Sequence, residues 1–428
     1  MQKSICFLRI SSILAGMGFA SFAFGAGFQI NEVSPTLQAV ALADAATVSG
    51  DLSGMAFNPA TLATIGAPDI YVAGSIIVPH VSYQNATSSL PVLLPAGTST
   101  VTAENNISPT AVVPAAYAGM PLPGSLDHWS AGIGVDVPFG LETNYNANWV
   151  GQFNALESQV QVINVLPTVA YQFTPNFDVG ASIDVEYLTA TYTNSINYDG
   201  FLDGGNSSLM GNTWGAGFAL GAMYKLTPTT TLGADYHSVV RESLKGQATV
   251  TGDALYQGNY PGSVIIHLPA TFNLGVSQQI TNRFTLMAGG EWTQWNTIPS
   301  IDVNVQGIGT DNSQLNYSNT WLFSLGGSYI LTPKLTLMGG VAYDETPTNN
   351  QDRDARIPDT NREWITTGLS YNATSNLSLF GTYEHIFMND QSINSSEGGA
   401  GGLSPSQVSV DYSGYANILA MGLNYSFK

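Results

Sequence analysis

The sequence predicts an all-β fold: a transmembrane antiparallel β-barrel of about fourteen strands, with a helical amino-terminal hatch inside the lumen. Three observations predict it. Only 10% of the 428 residues are charged while 44% are hydrophobic, yet beyond the amino-terminal region no apolar run approaches the roughly 18 to 20 residues of a bilayer-crossing helix. Apolar and polar residues instead alternate with period two over long stretches. Short turns separate those stretches at regular intervals.

Residues 1–25 read as a secretory signal. Lys3 and Arg9 supply a basic start, "ISSILAGMGFASFAFG" is apolar, and Ala23-Phe24-Gly25 offers small residues for cleavage before Ala26. The apolar core is short for a retained anchor. Cleavage leaves nine basic against thirty acidic residues, a formal charge of −21. Nucleic acid and anionic lipid surfaces are poor partners for a chain of that balance. The single cysteine, Cys6, lies in the signal, so the mature chain carries no disulfide and no cysteine metal site.

Residues 67–428 carry the barrel. In "NFDVGASIDVEYLTATY", Phe177, Val179, Ala181, Ile183, Val185 and Tyr187 alternate with Asp178, Gly180, Ser182, Asp184 and Glu186. A strand keeps those two sets on opposite faces, whereas a helix mixes them. The last strand repeats the pattern with Leu419, Met421, Leu423, Tyr425 and Phe427. Connectors recur at Gln172–Gly180, Lys225–Gly233, Gln279–Met287, Ile330–Met338 and Asn372–Phe380. With the Pro123-Gly124 turn they imply about six tight turns and hence about fourteen strands, an even number as single-chain bacterial barrels require. Longer polar segments alternate with the turns, including "DETPTNNQDRDARIPDTNR". Short turns on one side and long loops on the other, with aromatics Trp292, Tyr329, Tyr343, Tyr371 and Tyr425 near strand ends, place the barrel in the outer membrane of a Gram-negative bacterium. A β-propeller or β-solenoid shares the repeat length without the signal or the one-sided apolar strands.

Residues 26–66 do not alternate. They are rich in Ala, Leu and small polar residues, with Ser34 as a helix cap, Pro35 at a first-turn position and Gly50 or Gly54 as stops. A segment this short has no core of its own and must pack against something. A wall of fourteen strands encloses a lumen in which it fits. Asn58-Pro59 ends a helix and turns the chain, either inside the lumen or in a periplasmic tail.

The mature chain resembles the outer-membrane transporters of long-chain fatty acids and aromatic hydrocarbons, the FadL/TodX/OmpP1 group. The resemblance rests on "AGFQINEVS" (26–34), "FNPA" (57–60), "PFGLETNYNANWVGQF" (138–153), "LGADYHSVVRESLKG" (232–246) and "YDETPTNNQDRDARIPDTNREWITTGLSY" (343–371). It implies a fourteen-stranded barrel plugged by a hatch that contains Asn58, Pro59 and Ala60. It also implies passive, ligand-gated uptake: capture among the outer loops, an interior site beside the mature amino terminus where Phe28 lies, and lateral release through the wall. No cofactor and no metal are implied. Lipid, lipopolysaccharide and, through the last strand, the barrel-assembly machinery are the expected partners.

Leu90, Pro91, Val92, Leu93 and Leu94 offer an apolar capture surface in the first long loop. Pro138 and Gly140 are poor ladder residues flanking Phe139, so a break in the third strand is expected there, which the resemblance makes the lateral opening. A fatty-acid carboxylate needs a donor. If Ala234, Tyr236 and Val240 face lipid, then Asp235, His237, Arg241 and Lys245 face the lumen, with Arg241 the leading candidate; Arg356 and Arg362 border another strand. The family often has a basic residue where this chain has Gln152. The rival functions are aromatic or alkane uptake in the same fold, a hydrophilic porin, and a barrel-embedded hydrolase. No HExxH or Gly-x-Ser-x-Gly motif supports the last, and its five histidines are dispersed.

Overall fold

A computed structural model of the chain describes residues 26–89, 103–104, 106–196, 205–252, 257–397 and 406–427. The signal segment and the apolar loop residues Leu90, Pro91, Val92, Leu93 and Leu94 lie outside the described residues. The strands are β1 (Asp69–Ser89), β2 (Ala111–Pro121), β3 (Trp129–Asn144), β4 (Glu157–Thr174), β5 (Phe177–Ser195) and β6 (Asn206–Thr227). Then come four interrupted strands: β7 (Thr230–His237 and Val240–Thr251), β8 (Gly258–Leu268 and Thr271–Gln279), β9 (Phe284–Thr293 and Ser300–Val305) and β10 (Gly309–Gln314 and Thr320–Thr332). The wall ends with β11 (Leu335–Asp344), β12 (Arg362–Asn372), β13 (Leu377–Glu397) and β14 (Ser406–Ser426). Each pairs antiparallel with its neighbours in sequence, and β1 pairs with β14 from Asp69↔Ser426 to Ser89↔Gln407. The result is a closed fourteen-stranded barrel. Closure matters because unpaired backbone groups facing lipid find no water.

The period-two pattern sorts the faces as expected. On β1, Ile70, Val72, Ile76 and Val78 point out while Tyr71, Ser75 and Ile77 are buried toward the lumen. Outward aromatics form two levels. Trp129, Tyr171, Phe173, Tyr224, Tyr329, Tyr371 and Tyr425 stand beside the short turns; Tyr187, Trp214, Trp321, Phe323, Tyr343, Phe387 and Tyr415 stand toward the long loops. Amphipathic rings take this position at membrane–water interfaces.

One strand breaks phase. Between Asn212↔Lys245 and Ala219↔His237, β7 holds one residue more than β6, at the Ser238-Val239 interruption. Asp235 and His237 face inward as expected, but beyond the bulge Val240, Glu242 and Leu244 turn inward and Arg241 and Lys245 turn out. The expectation that Arg241 and Lys245 face the lumen is therefore overturned, because an extra residue exchanges the two faces of everything after it.

Residues 26–66 pack against inward-facing wall residues. Ser34 caps a four-residue helix, Pro35–Gln38, with Oγ accepting from the Leu37 N–H (3.3 Å). Two 3-10 helices follow, Leu52–Ala56 and Pro59–Thr64. Gly50 ends the first reversal with a φ of +73°, whereas Gly54 lies inside a helical turn and stops nothing. Thr366 and Thr382 donate to the Ala39 and Pro35 carbonyls (3.0 and 2.6 Å), and Ser75 donates to that of Glu32 (2.7 Å).

Candidate functional site

Asn58 occupies the joint between the two 3-10 helices. Its extended backbone ends one, and its Oδ1 accepts from the Ala60 N–H (2.9 Å) to begin the next at Pro59. Its Nδ2 reaches the Ala46 carbonyl (2.8 Å) and, across to the wall, that of Ala222 on β6 (3.3 Å). The wall receives this turn on glycines. A Cβ on Gly180 would lie 2.3 Å from the Pro59 carbonyl carbon, and one on Gly221 would lie 1.9 Å from Asn58 Oδ1. His237 adds a tether: its Nε2 donates to the Phe57 carbonyl (2.7 Å) while Nδ1 lies 3.6 Å from Asp184 Oδ2.

The predicted break in β3 is present as a bulge. The β3–β4 register shifts between Asp136 and Phe139, and the β2–β3 ladder begins at Pro121↔Ser130 and ends at Ala116↔Val135. Among the described residues, Ala111–Ala115 of β2 thus pair with β1 alone, and Pro114, which has no N–H, falls in that stretch. Residues 28–30 take the vacated backbone from inside. Ile30 donates to the Pro138 carbonyl (2.8 Å) and Gly140 donates to that of Phe28 (2.9 Å). Phe28 fills the space beneath, 5.8 Å from Phe139 and 5.2 Å from Trp295 between ring centroids.

Above this gap the lumen contains an apolar cavity. Leu141, Val160, Leu209, Leu244, Val264, Ile266, Ile301 and Val303 line it, drawn from six strands. Gly211, Gly246 and Gly262 contribute its width by omitting side chains. Arg356 covers one end. Its guanidinium lies 4.2 Å from the Tyr192 ring centroid, and donates to Asp354 Oδ2 (2.8 Å) and to the Asn154 carbonyl. A second cavity lies between residues 29–33 and the wall and has a mixed lining, with Asp136, Asp184, Glu186 and Glu291 around His237.

The arginines enter the lumen on a segment that reads in sequence as a solvated loop. Residues 345–361 fold inward because their cations and carboxylates pair with each other and with the wall. Arg362 donates to Asp344 Oδ2 (2.9 Å) and to Asp359, while Arg353 donates to the Asp359 carbonyl (2.7 Å). Asp359 in turn accepts the Gly27 N–H (3.0 Å). Arg362 is thus placed at the amino-terminal segment, away from the apolar cavity. Gln152 sits in the β3–β4 loop, accepting from Ser195 Oγ (3.1 Å).

Glu32 is 1% exposed; Oε2 accepts from the Asn31 N–H (2.9 Å), and Oε1 has no hydrogen-bond partner among the described residues. Burial pushes its carboxyl up to about 7, against the opposing pull of backbone N–H groups and Arg362. The folded segment therefore favours the protonated acid: that stabilisation is full below the ordinary carboxylate value and is lost as pH rises through about 7. Hydrogen-exchange protection in residues 26–66, relative to the intrinsic base-catalysed rate at each pH, is expected to be greater at about pH 5 than at about pH 8, with Glu32→Gln flattening the difference. Exchange protection equal at both pH values in the wild type would contradict this.

The family model for outer membrane protein transport proteins (OMPP1/FadL/TodX) matches residues 16–427. Outer membrane protein P1 of Haemophilus influenzae is 24% identical, and a long-chain fatty acid transport protein of Salmonella typhi 22% identical, each over the full length of both chains. The crystal structure of a Pseudomonas aeruginosa FadL homologue superimposes with a TM-score of 0.82 at 22% identity, covering 94% of this chain and 100% of that one. That of the Ralstonia pickettii toluene transporter TbuX gives 0.66 at 20% identity, covering 93% and 100%. The closed barrel, its two aromatic levels and a match spanning the barrel wall agree: the chain belongs to the OMPP1/FadL/TodX family of outer-membrane transport proteins, whose members are channels and not enzymes.

Proposed function

We propose that the protein takes up long-chain fatty acids passively, holding the chain in the apolar cavity above Leu141 with the carboxylate at Arg356. Residues 26–66 plug the lumen below, and the ligand leaves sideways between β2 and β3. The observation that carries this reading is the cavity itself, lined mainly by apolar side chains, with Ser158, Gln159, Thr191, Ser263 and Arg356 as its polar members. Phe28, Ile30 and Phe139 stand between cavity and gap, so displacement of residues 28–30 by an incoming ligand links binding to opening. Outer-membrane lipid and lipopolysaccharide surround the wall, and β14 presents the alternating strand on which the barrel-assembly machinery acts.

Asp354 favours a second reading. It already neutralises Arg356, so a neutral aromatic or alkane hydrocarbon fills the same cavity without displacing an ion pair. Uptake of labelled oleate and labelled toluene by cells expressing the wild type or Arg356→Met separates the two. Fatty-acid transport predicts an oleate loss on the order of tenfold with toluene unchanged, consistent with one charge-assisted contact. The double variant Asp354→Asn, Arg356→Met removes both charges and controls for an orphaned buried carboxylate. Toluene uptake without oleate uptake in the wild type would establish the second reading; uptake of neither would overturn both.

A further inference from the structure

The bulge that turns Arg241 and Lys245 out of the lumen places them where a second ligand class is available. Eight basic residues are described. Arg353, Arg356 and Arg362 are buried among carboxylates and carbonyls, and Lys225, Arg283 and Lys334 stand at the short turns. Arg241 and Lys245 remain as the basic residues of the outward face in the outer half of the wall, in a chain of net charge −19.

Their depth is set by the strand. At about 3.3 Å per residue and a tilt of about 40°, β7 climbs about 2.5 Å per residue, which puts Arg241 about 23 Å above Leu232 at the opposite aromatic level. The apolar band of such barrels is about 25 Å tall, so Arg241 reaches its outer edge and Lys245 stands about 10 Å higher. Lys245 pairs in register with Asn212, two residues beyond the outward Trp214, which is 65% exposed. Across the β7–β8 ladder Arg241 faces His267 and Lys245 faces Ser263. A cation on a lipid-facing strand is costly at the midplane and nearly free at the interface. Here it also meets the phosphates of the outer leaflet.

The geometry points to a binding site for the phosphorylated headgroup of the outer-leaflet glycolipid on the outer face of β7 and β8, with Arg241 and Lys245 each taking a phosphate and His267, Ser263 and Trp214 contacting the sugars. The site is independent of the cavity and of hydrophobic uptake. The test uses the full mature barrel in phosphatidylcholine vesicles doped with purified lipid A, enzymatically dephosphorylated lipid A or phosphatidylglycerol, with retained lipid counted by native mass spectrometry. The expected result is retention of lipid A on the order of tenfold above the other two, falling to their level in Arg241→Ser, Lys245→Ser while the variant stays heat-modifiable and keeps its uptake. Equal retention of lipid A before and after dephosphorylation, preference for phosphatidylglycerol, or lipid A binding by the double variant equal to the wild type would each overturn it.

Discussion

A barrel carrying Gly180→Val and Gly221→Val is expected to conduct ions and small hydrophilic solutes, with conductance on the order of tenfold or more above the wild type, because a fourteen-stranded lumen is wide enough for water once emptied. Both glycines face inward where backbone and side-chain atoms of Asn58-Pro59 approach too closely for any Cβ. At Gly180 the obstructing atoms are backbone, so the segment cannot yield by a rotamer change. Neither substitution touches lipid, and valine is a good strand residue, so wall assembly and heat-modifiable migration should persist. Planar-bilayer recordings check the outcome. A folded double variant with wild-type conductance would remove the plugging role from residues 26–66.

The second large effect is expected from deleting Pro138. The bulge exists because β3 has one residue more than β4 between Asp136↔Asn164 and Phe139↔Val162. Deletion makes the alternation continuous, gives the freed backbone of β3 a path to pair with Ala111–Ala115, and removes the carbonyl that holds Ile30. Each unpaired backbone group in contact with hydrocarbon costs several kcal/mol, so a straight β3 closes onto β2 spontaneously. The variant should be a more regular barrel than the wild type and a poorer transporter.

Much of this architecture is legible in the sequence, for identifiable reasons. The six short connectors carry Pro, Asn, Thr or Gly at fixed offsets, and each joins two strands of the wall. Ser34-Pro35 reads as a helix start because capping is local chemistry. Pro138-Phe139-Gly140 reads as a break because neither proline nor glycine supports a ladder. The phase of Arg241 does not read correctly: in "HSVVRE" two consecutive valines leave the period ambiguous, so the bulge leaves no mark. Residues 345–361 read as a solvated loop, since polarity cannot distinguish water from the Asp344, Asp359 and Asn154 partners that draw their arginines inward. The interleaved "DRDAR" was the available signal. The apolar cavity is invisible for a different reason: Val160, Leu244 and Val264 meet only through a register spanning five strands.

Uptake of labelled oleate and toluene by cells expressing the wild type or the Pro138 deletion tests lateral passage of a hydrophobic ligand between β2 and β3. The deletion variant, present in the outer membrane as a folded, heat-modifiable barrel, is expected to import neither compound above the level of cells lacking the protein. Uptake at the wild-type rate by that folded variant would contradict lateral passage, and would send the ligand down the lumen past Asn58.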